Sequence, residues 1–343
     1  MSLTNPSLLL LRNEEELVAN KILVINHQRD DFLGELCALN PDSDIHAFSY
    51  DFANHLHAKQ VPGLTAHIDH QLPPLGGIEL VIYYYPKSKP EAQMTLDNIR
   101  SLCGANTRLL VVGENKGGVK SVEKQLKPVA QYSYKLDSAK HCILYEFNQL
   151  SVLERFDIET YVTSFDVSVA GTQFCAASVP GVFNHGKLDL GTQLLLENIS
   201  LPYKGKALDF GCGAGIITCF ALLQQPNLRF SCLDVNALAL FATQKTLAMN
   251  GLTAELVLSD GLSELTGKYQ LILSNPPFHT GIATDYGIAE QFLTGAKRHM
   301  DKAASLQIVA NSFLKYPPIL AAQFQQFDVV DKNNKFAVYK AQF

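Results

Sequence analysis

The stretch SNPPF, Ser274 to Phe278, follows the apolar run YQLIL and precedes HTG. Two adjacent prolines neither continue a sheet ladder nor start a helix with ease, so they end a buried strand abruptly. They leave a rigid plug at the strand's end. Asn275 offers a side-chain amide, Pro276 a carbonyl, Pro277 a second fixed ring and Phe278 an aromatic face. The plainer alternative is a strand capped by a Pro-Pro turn.

A second set of residues lies upstream in LDFGCGAG, Leu208 to Gly215. Gly211, Gly213 and Gly215 let the backbone turn sharply and let a ligand come close to it. The N–H groups of a following helix would face that ligand. No Gly-Lys-Ser/Thr is present here, which excludes a phosphate-binding P-loop. Asp209 precedes the glycines, and Asp234 ends the next strand in CLDVN. An acid there can accept hydrogen bonds from both hydroxyls of a ribose. Asp260 ends the third strand in LSDG, where it could meet an adenine amino group. An adenosine-bearing ligand fits this set, and the acids give no help to a pyrophosphate.

The elements that must position these groups alternate along the second half. KALDFG, RFSCLDV, AELVLSD, YQLILSN and SLQIVAN read as strands. AGIITCFALLQQ, NALALFATQKTLAMNG and AEQFLTGAKRHM read as helices. This order predicts a parallel sheet with helices on both faces. FDVVDKNNKFAVYKAQF predicts a closing antiparallel hairpin. The first half repeats the style, with KILVIN, IELVIYYYP, TRLLVVGEN and HCILYEF as strands and EAQMTLDNIRSLC and GVKSVEKQL as helices. LVIYYYPKSKPEAQ stands where LILSNPPF would, which points to an internal duplication of the fold. The expected domains are 1–155 and 165–343, with residues around 150–180 linking them.

In their order and spacing, LDFGCGAG, LDVN, LSDG and SNPPF resemble a class I S-adenosylmethionine-dependent methyltransferase. NPPF resembles the N-methyltransferase branch. With PGVF…LDLGTQLLL and YYYPKSKPEAQ…VVGENKGGVKS added, the chain resembles the bacterial small-subunit (16S) ribosomal RNA guanine-N2 methyltransferase C family along nearly its whole length. The resemblance implies an α/β protein of two tandem Rossmann-like domains. Each would be a mostly parallel seven-stranded sheet with helices on both faces. The second would be catalytic and the first degenerate, serving RNA binding or structure. It also implies S-adenosyl-L-methionine as cofactor and guanine 1207 of 16S rRNA, in the small subunit, as target.

That target gives the plug a task. The lone pair of a purine's exocyclic amine is delocalised into the ring, so the amine is a poor nucleophile. The Asn275 carbonyl and the Pro276 carbonyl would accept its two N–H groups and favour the rehybridised nitrogen of the transition state. The prolines hold both acceptors in place. Stacking on Phe278 would be worth roughly 1–3 kcal/mol. Asn275 is not an acid, so the motif holds no general base, and the proton can leave after transfer. Asp189, Gly191 and Gln193 in LDLGTQ could reach the methionine end of the cofactor or the base, and a helix N-cap at Asp189 is as open a reading. His279 is a substrate contact or a solvated loop residue, and Cys212 a small filler. Tyr83 to Pro86 form a stacking platform or a decayed site of core tyrosines. Asn-Pro-Pro-aromatic motifs also serve DNA adenine-N6 and protein glutamine-N5 methyltransferases. A non-catalytic ribosome assembly factor is the remaining alternative.

Composition narrows the setting. Of 343 residues, 47% are hydrophobic and 18% charged, as in an ordinary globular protein. No apolar run reaches membrane-spanning length, and MSLTNPSLLLLRNEEELV lacks the basic flank of a signal peptide. The seven scattered cysteines show no metal-type spacing and suit a reduced, cytoplasmic, metal-free protein. A monomer is expected. The net charge of −5 speaks against nonspecific nucleic-acid coating. Yet residues 80–150 hold 10 Lys/Arg against 6 Asp/Glu. Lys116, Lys120, Lys124 and Lys127 recur there at helical spacing, which would line them along one face to meet RNA phosphates.

Overall fold

The structure is a computed structural model that describes residues 2–183, 185–276, 286–314 and 316–342. The chain divides into two compact units, Met1–Tyr161 and Val162–Phe343. The first runs α1 (Asn5–Leu11), β1 (Lys21–Ile25), α2 (Phe32–Leu39), β2 (Asp44–Ser49), α3 (Phe52–Ala58), β3 (Leu64–Ile68), β4 (Ile78–Tyr84), α4 (Lys89–Arg100), β5 (Cys103–Glu114), α5 (Ser121–Leu126), β6 (Ala130–Ala139) and β7 (Cys142–Leu150). The second opens with β8 (Thr163–Val169), β9 (Thr172–Ser178) and α6 (Leu190–Glu197). It continues with β10 (Gly205–Phe210), α7 (Ile216–Gln224), β11 (Leu228–Asp234), α8 (Ala237–Met249), β12 (Glu255–Leu258) and β13 (Tyr269–Ser274). It closes with α9 (Tyr286–Arg298), β14 (Met300–Asn311), α10 (Tyr316–Gln323), β15 (Gln326–Lys332) and β16 (Phe336–Gln342).

The two seven-stranded sheets have the same strand order. It is β3-β2-β1-β4-β5-β7-β6 in the first unit and β12-β11-β10-β13-β14-β16-β15 in the second. In each, five strands run parallel and the last two join antiparallel. The internal repeat inferred from the tyrosine and plug stretches is therefore a repeat of topology. The central strand β13 shows why its sequence is apolar throughout. Leu271 and Leu273 enter one core and Ile272 the core on the opposite face, as the two-residue period of a strand covered on both sides requires.

The order of the second sheet departs in both directions from β10. At such a switch point a crevice opens beyond the carboxyl ends of the strands. The glycine loop follows β10, and Asn275 and Pro276 follow β13, at the carboxyl ends of these two strands.

Two expectations are corrected. Residues 163–178 are not a linker but the hairpin β8–β9 of the second unit. Its turn uses Ala170 and Gly171 at φ 47° and 76°, the left-handed pair that suits a tight hairpin. The Ala177 N–H donates to Thr246 Oγ1 at 2.9 Å, and Asn250 Nδ2 donates to the Cys175 carbonyl at 2.7 Å, which ties the hairpin to α8. The four lysines also do not share one helix. Lys116 sits in a short 3-10 turn that ends at Gly118, whose φ of 87° breaks the helical path. Lys120, Lys124 and Lys127 remain on or beside the six-residue α5. Lys120, Lys124 and Lys127 are exposed, and Lys116 stands in an exposed turn.

Candidate active site

The glycine loop is a tight turn stitched to the neighbouring strand. Gly211, Gly213 and Gly215 have φ of 71°, 56° and 73°, a region costly for residues with a Cβ. The N–H groups of Gly211 and Cys212 both donate to the Leu233 carbonyl, at 2.8 and 3.0 Å. A Cβ on Gly215 would stand 2.9 Å from Thr243 Cγ2 and 3.1 Å from its Cα, so this glycine lets the loop pack on α8. A Cβ on Gly213 would meet nothing within 4 Å. That glycine faces open space, as the wall of a ligand cradle must.

The acids divide into two kinds. Asp234 is half-buried at the end of β11, where Oδ2 accepts from the Gly213 N–H and Oδ1 from the Asn236 N–H, each at 3.0 Å. A carboxylate offers about four acceptor sites, so a ribose can be added to these bonds. Asp260 is exposed just beyond β12. Asp209 has no exposed surface. Its Oδ2 accepts from the N–H and hydroxyl of Thr218 at 3.2 and 2.8 Å, which anchors the first turn of α7. Burial pushes its carboxyl up to about 7, and the charge of Asp234 adds to this while the Thr218 bonds oppose it. An enclosed carboxyl does not touch a ligand, so the expected direct contact is corrected to support beneath the loop.

The plug stands beside this loop. Ser274 Oγ donates to the Phe210 carbonyl at 2.6 Å, joining the ends of β13 and β10. Asn275 Nδ2 donates to Asp189 Oδ2 and to Thr192 Oγ1, both at 2.9 Å. Asp189 is the N-cap of α6, and its Oδ2 also accepts from the Thr192 N–H at 2.9 Å. The N-cap reading of Asp189 therefore describes its place, with a reach to the plug added. Gly191 permits this arrangement, because a Cβ there would lie 2.9 Å from Asp189 Oδ2 and 3.1 Å from the ring of Phe336. Thr192 is a site residue the sequence reading missed. Its backbone N–H meets the capping Asp three residues before it, while its hydroxyl turns to Asn275, a contact with no local signal in the sequence.

Other candidates stand elsewhere. Gln193 pairs its amide with Glu197 Oε1 at 2.8 Å and lines a cleft of about 370 Å³ with Leu190, Asn334 and Phe336. It is not among the partners of Asn275. Pro276 is buried, while Pro277, Phe278 and His279 lie outside the described residues. Cys212 is buried and accepts from Thr243 Oγ1 at 3.3 Å, and burial raises its thiol well above its usual range, which suits a filler. Among the described residues, no three His, Cys, Asp or Glu side chains are placed to hold a metal ion. No described helix is long and apolar enough to cross a membrane.

Comparisons with known proteins place the family and the fold. Residues 173–340 match the Methyltransferase small domain family, and residues 7–165 match its partner, the Methyltransferase small domain N-terminal. The ribosomal RNA small subunit methyltransferase C of Pseudoalteromonas translucida is 58% identical over 339 residues, covering 99% of each chain. That of Colwellia psychrerythraea is 38% identical over 351 residues, covering 100% of this chain and 98% of its own. The chain belongs to the ribosomal RNA small subunit methyltransferase C family. The fold also matches the solved T. thermophilus 16S rRNA N2 G1207 methyltransferase, described in complex with AdoMet and guanosine. The TM-score is 0.83 at 21% identity, over 96% of this chain and 91% of that one.

In this methyltransferase C chain the first unit repeats the strand register of the site with other residues. Strand register sets Ile25 beside Tyr83 where the second unit sets Phe210 beside Ser274. Asn26, at φ 56°, takes the place of Gly211 and donates to the Phe48 carbonyl at 2.9 Å. Ser49 then stands for Asp234 and Tyr84 for Asn275. Tyr83, Tyr84 and Tyr85 are all buried, and the Tyr84 hydroxyl pairs with Ser7 Oγ at 2.9 Å. Buried rings cannot stack on RNA bases, so this stretch is the decayed site and not a platform.

Proposed function

We propose that this chain transfers the methyl group of S-adenosyl-L-methionine to the exocyclic N2 amine of a guanine in 16S rRNA. The family relatives are named as small-subunit rRNA methyltransferases. The T. thermophilus protein of the same fold is named for guanine 1207, which becomes the proposed target here.

The residues present fit the cofactor. Gly213 faces open space, and Asp234 borders it with a carboxylate able to accept several hydrogen bonds. Gly211, Gly213 and Asp234 would hold it, with Asp260 toward the adenine. Asp209 and Gly215 fix the loop from behind. When bound, the cofactor supplies an electrophilic methyl group on a sulfonium. The chain's own work is on the amine. Asn275 Oδ1 and the Pro276 carbonyl accept its two N–H groups and aim its lone pair, and the buried Pro276 keeps these acceptors from reorganising. The positive charge that grows on the nitrogen is stabilised by two oxygen dipoles. The proton then leaves an acidified nitrogen to solvent, without a general base.

The observation that carries this reading is the amide of Asn275, held by its N–H₂ group beside the end of β10, from which the glycine loop starts. Lys116, Lys120, Lys124 and Lys127 of the first unit are proposed to meet RNA phosphates. A monomer acting on the small subunit in the cytoplasm completes the proposal. The test is methyl transfer from labelled cofactor to small subunits, naked 16S rRNA and DNA in parallel. Label in small-subunit 16S rRNA is the expected result. Label in DNA, or in the protein fraction alone, overturns the reading.

A further inference from the structure

We infer that Asp189 and Thr192, at the start of α6, are positioning residues for the methyl acceptor, acting through the amide of Asn275. The inference rests on the proposed N-methyl transfer and names the device that orients its acceptor. A side-chain amide has two ends of similar size and opposite polarity. Only the oxygen end can accept an N–H from the substrate amine, and an inverted amide would present N–H₂ to N–H₂. The inversion costs little unless neighbours forbid it. Here they do. The carboxylate of Asp189 only accepts, so the end of Asn275 at 2.9 Å from Oδ2 must be the nitrogen. Thr192 Oγ1 takes the other amide proton at 2.9 Å. With both protons committed, Oδ1 is the atom that remains for the amine.

The carboxylate does a second thing. A charge-assisted bond to the amide N–H₂ draws electron density toward Oδ1 and strengthens it as an acceptor. Asp189 in turn is fixed by accepting the Thr192 N–H at 2.9 Å, so the N-cap of α6 and the orienting bond share one oxygen. The first unit offers an internal comparison. Thr4 is the N-cap residue of α1, in the place of Asp189, and its hydroxyl is bound to Ser7 Oγ and Asp30 Oδ2 at 3.0 and 2.7 Å. Where Tyr84 replaces the amide, the capping residue itself carries no carboxylate.

The test uses the full-length enzyme with 16S rRNA or small subunits as substrate. Thr192→Val removes one acceptor without touching the capping bond, because that bond uses the backbone N–H. Thr192→Ser keeps the acceptor. The expected result is a fall in kcat of about tenfold in Thr192→Val, with KM for RNA and cofactor affinity near the parent's, and recovery in Thr192→Ser. A second variant separates orientation from folding. Asp189→Asn leaves an amide oxygen to accept from both Asn275 Nδ2 and the Thr192 N–H, so the cap is kept while the charge on the orienting bond is lost. Its kcat should fall by about threefold or more, with stability in denaturant and KM for RNA near the parent's. A parent that methylates guanine N2, with Thr192→Val and Asp189→Asn both at normal kcat, overturns this inference and leaves the proposed function standing. A parent that does not methylate guanine N2 overturns both.

Discussion

At the scale of single residues, the acids beside the glycine loop separate by burial into one that reaches the surface and one that does not. Asp234 keeps an open side at the loop's rim. Asp209 is enclosed, and burial lifts its carboxyl to about 7. An acid whose folded value lies above its unfolded value near 4 contributes its full share of stability below pH 4. That share is lost as pH rises from about 4 through 7, because only the unfolded chain releases the proton freely. Asp209→Asn keeps an oxygen for both Thr218 bonds and has no proton to lose. Its stability relative to the parent should therefore rise between pH 5 and pH 8, by roughly 2–3 kcal/mol. Denaturant unfolding of both proteins at the two pH values measures this. A difference that stays constant with pH would show that Asp209 is ionised in the folded protein.

At the scale of elements, the glycine loop contains two glycines with different reasons. Gly215→Ala would drive a methyl into Thr243, including its backbone, at a left-handed φ. Overpacking and backbone strain together should cost about 2–4 kcal/mol of stability. Gly213→Ala meets no protein atom within 4 Å and should cost only about 1–2 kcal/mol through its φ, while its methyl enters the open space proposed for the cofactor. Unfolding and cofactor calorimetry on both variants should show Gly215→Ala the less stable and Gly213→Ala the larger loss of affinity per unit of stability. Parallel losses would contradict the division. The second sheet was legible because β10, β11 and β13 are apolar runs bounded by glycine, acid and proline. In the first unit β2, β3 and β6 went unmarked. DIHAFS carries a buried histidine, LTAHI is short and only half-buried, and AQYSYKLDSA lies at the sheet's edge with mostly exposed side chains. Such strands are held by pairing with neighbours, which a local pattern does not record. The clamp on Asn275 was hidden for a similar reason. Asp189 and Thr192 stand 86 and 83 positions from their partner, and it is the packing of α6 on β14 and β16 of the sheet that brings them to it.

At the scale of the whole molecule, one strand order is used twice, and the proposed chemistry belongs to the second copy. At matched positions the first copy has Asn26 for Gly211, Ser49 for Asp234 and Tyr84 for Asn275. What it retains is positive charge between residues 80 and 150. Reversing the charge of Lys116, Lys120, Lys124 and Lys127 together should weaken rRNA binding, make its salt dependence shallower and leave cofactor affinity unchanged. Binding measured at two salt concentrations checks this, and an unaltered affinity and salt slope would place the RNA contacts elsewhere. The claim on which the rest depends is that Asn275 serves the acceptor amine and not the cofactor. Its direct test is nucleoside mass spectrometry of 16S rRNA after reaction with the parent and with Asn275→Ala, at cofactor concentrations that saturate both. The account predicts N2-methylguanosine from the parent and a loss of about a hundredfold or more from the variant. N2-methylguanosine at near-parent levels from Asn275→Ala, or a different methylated nucleoside from the parent, would contradict it.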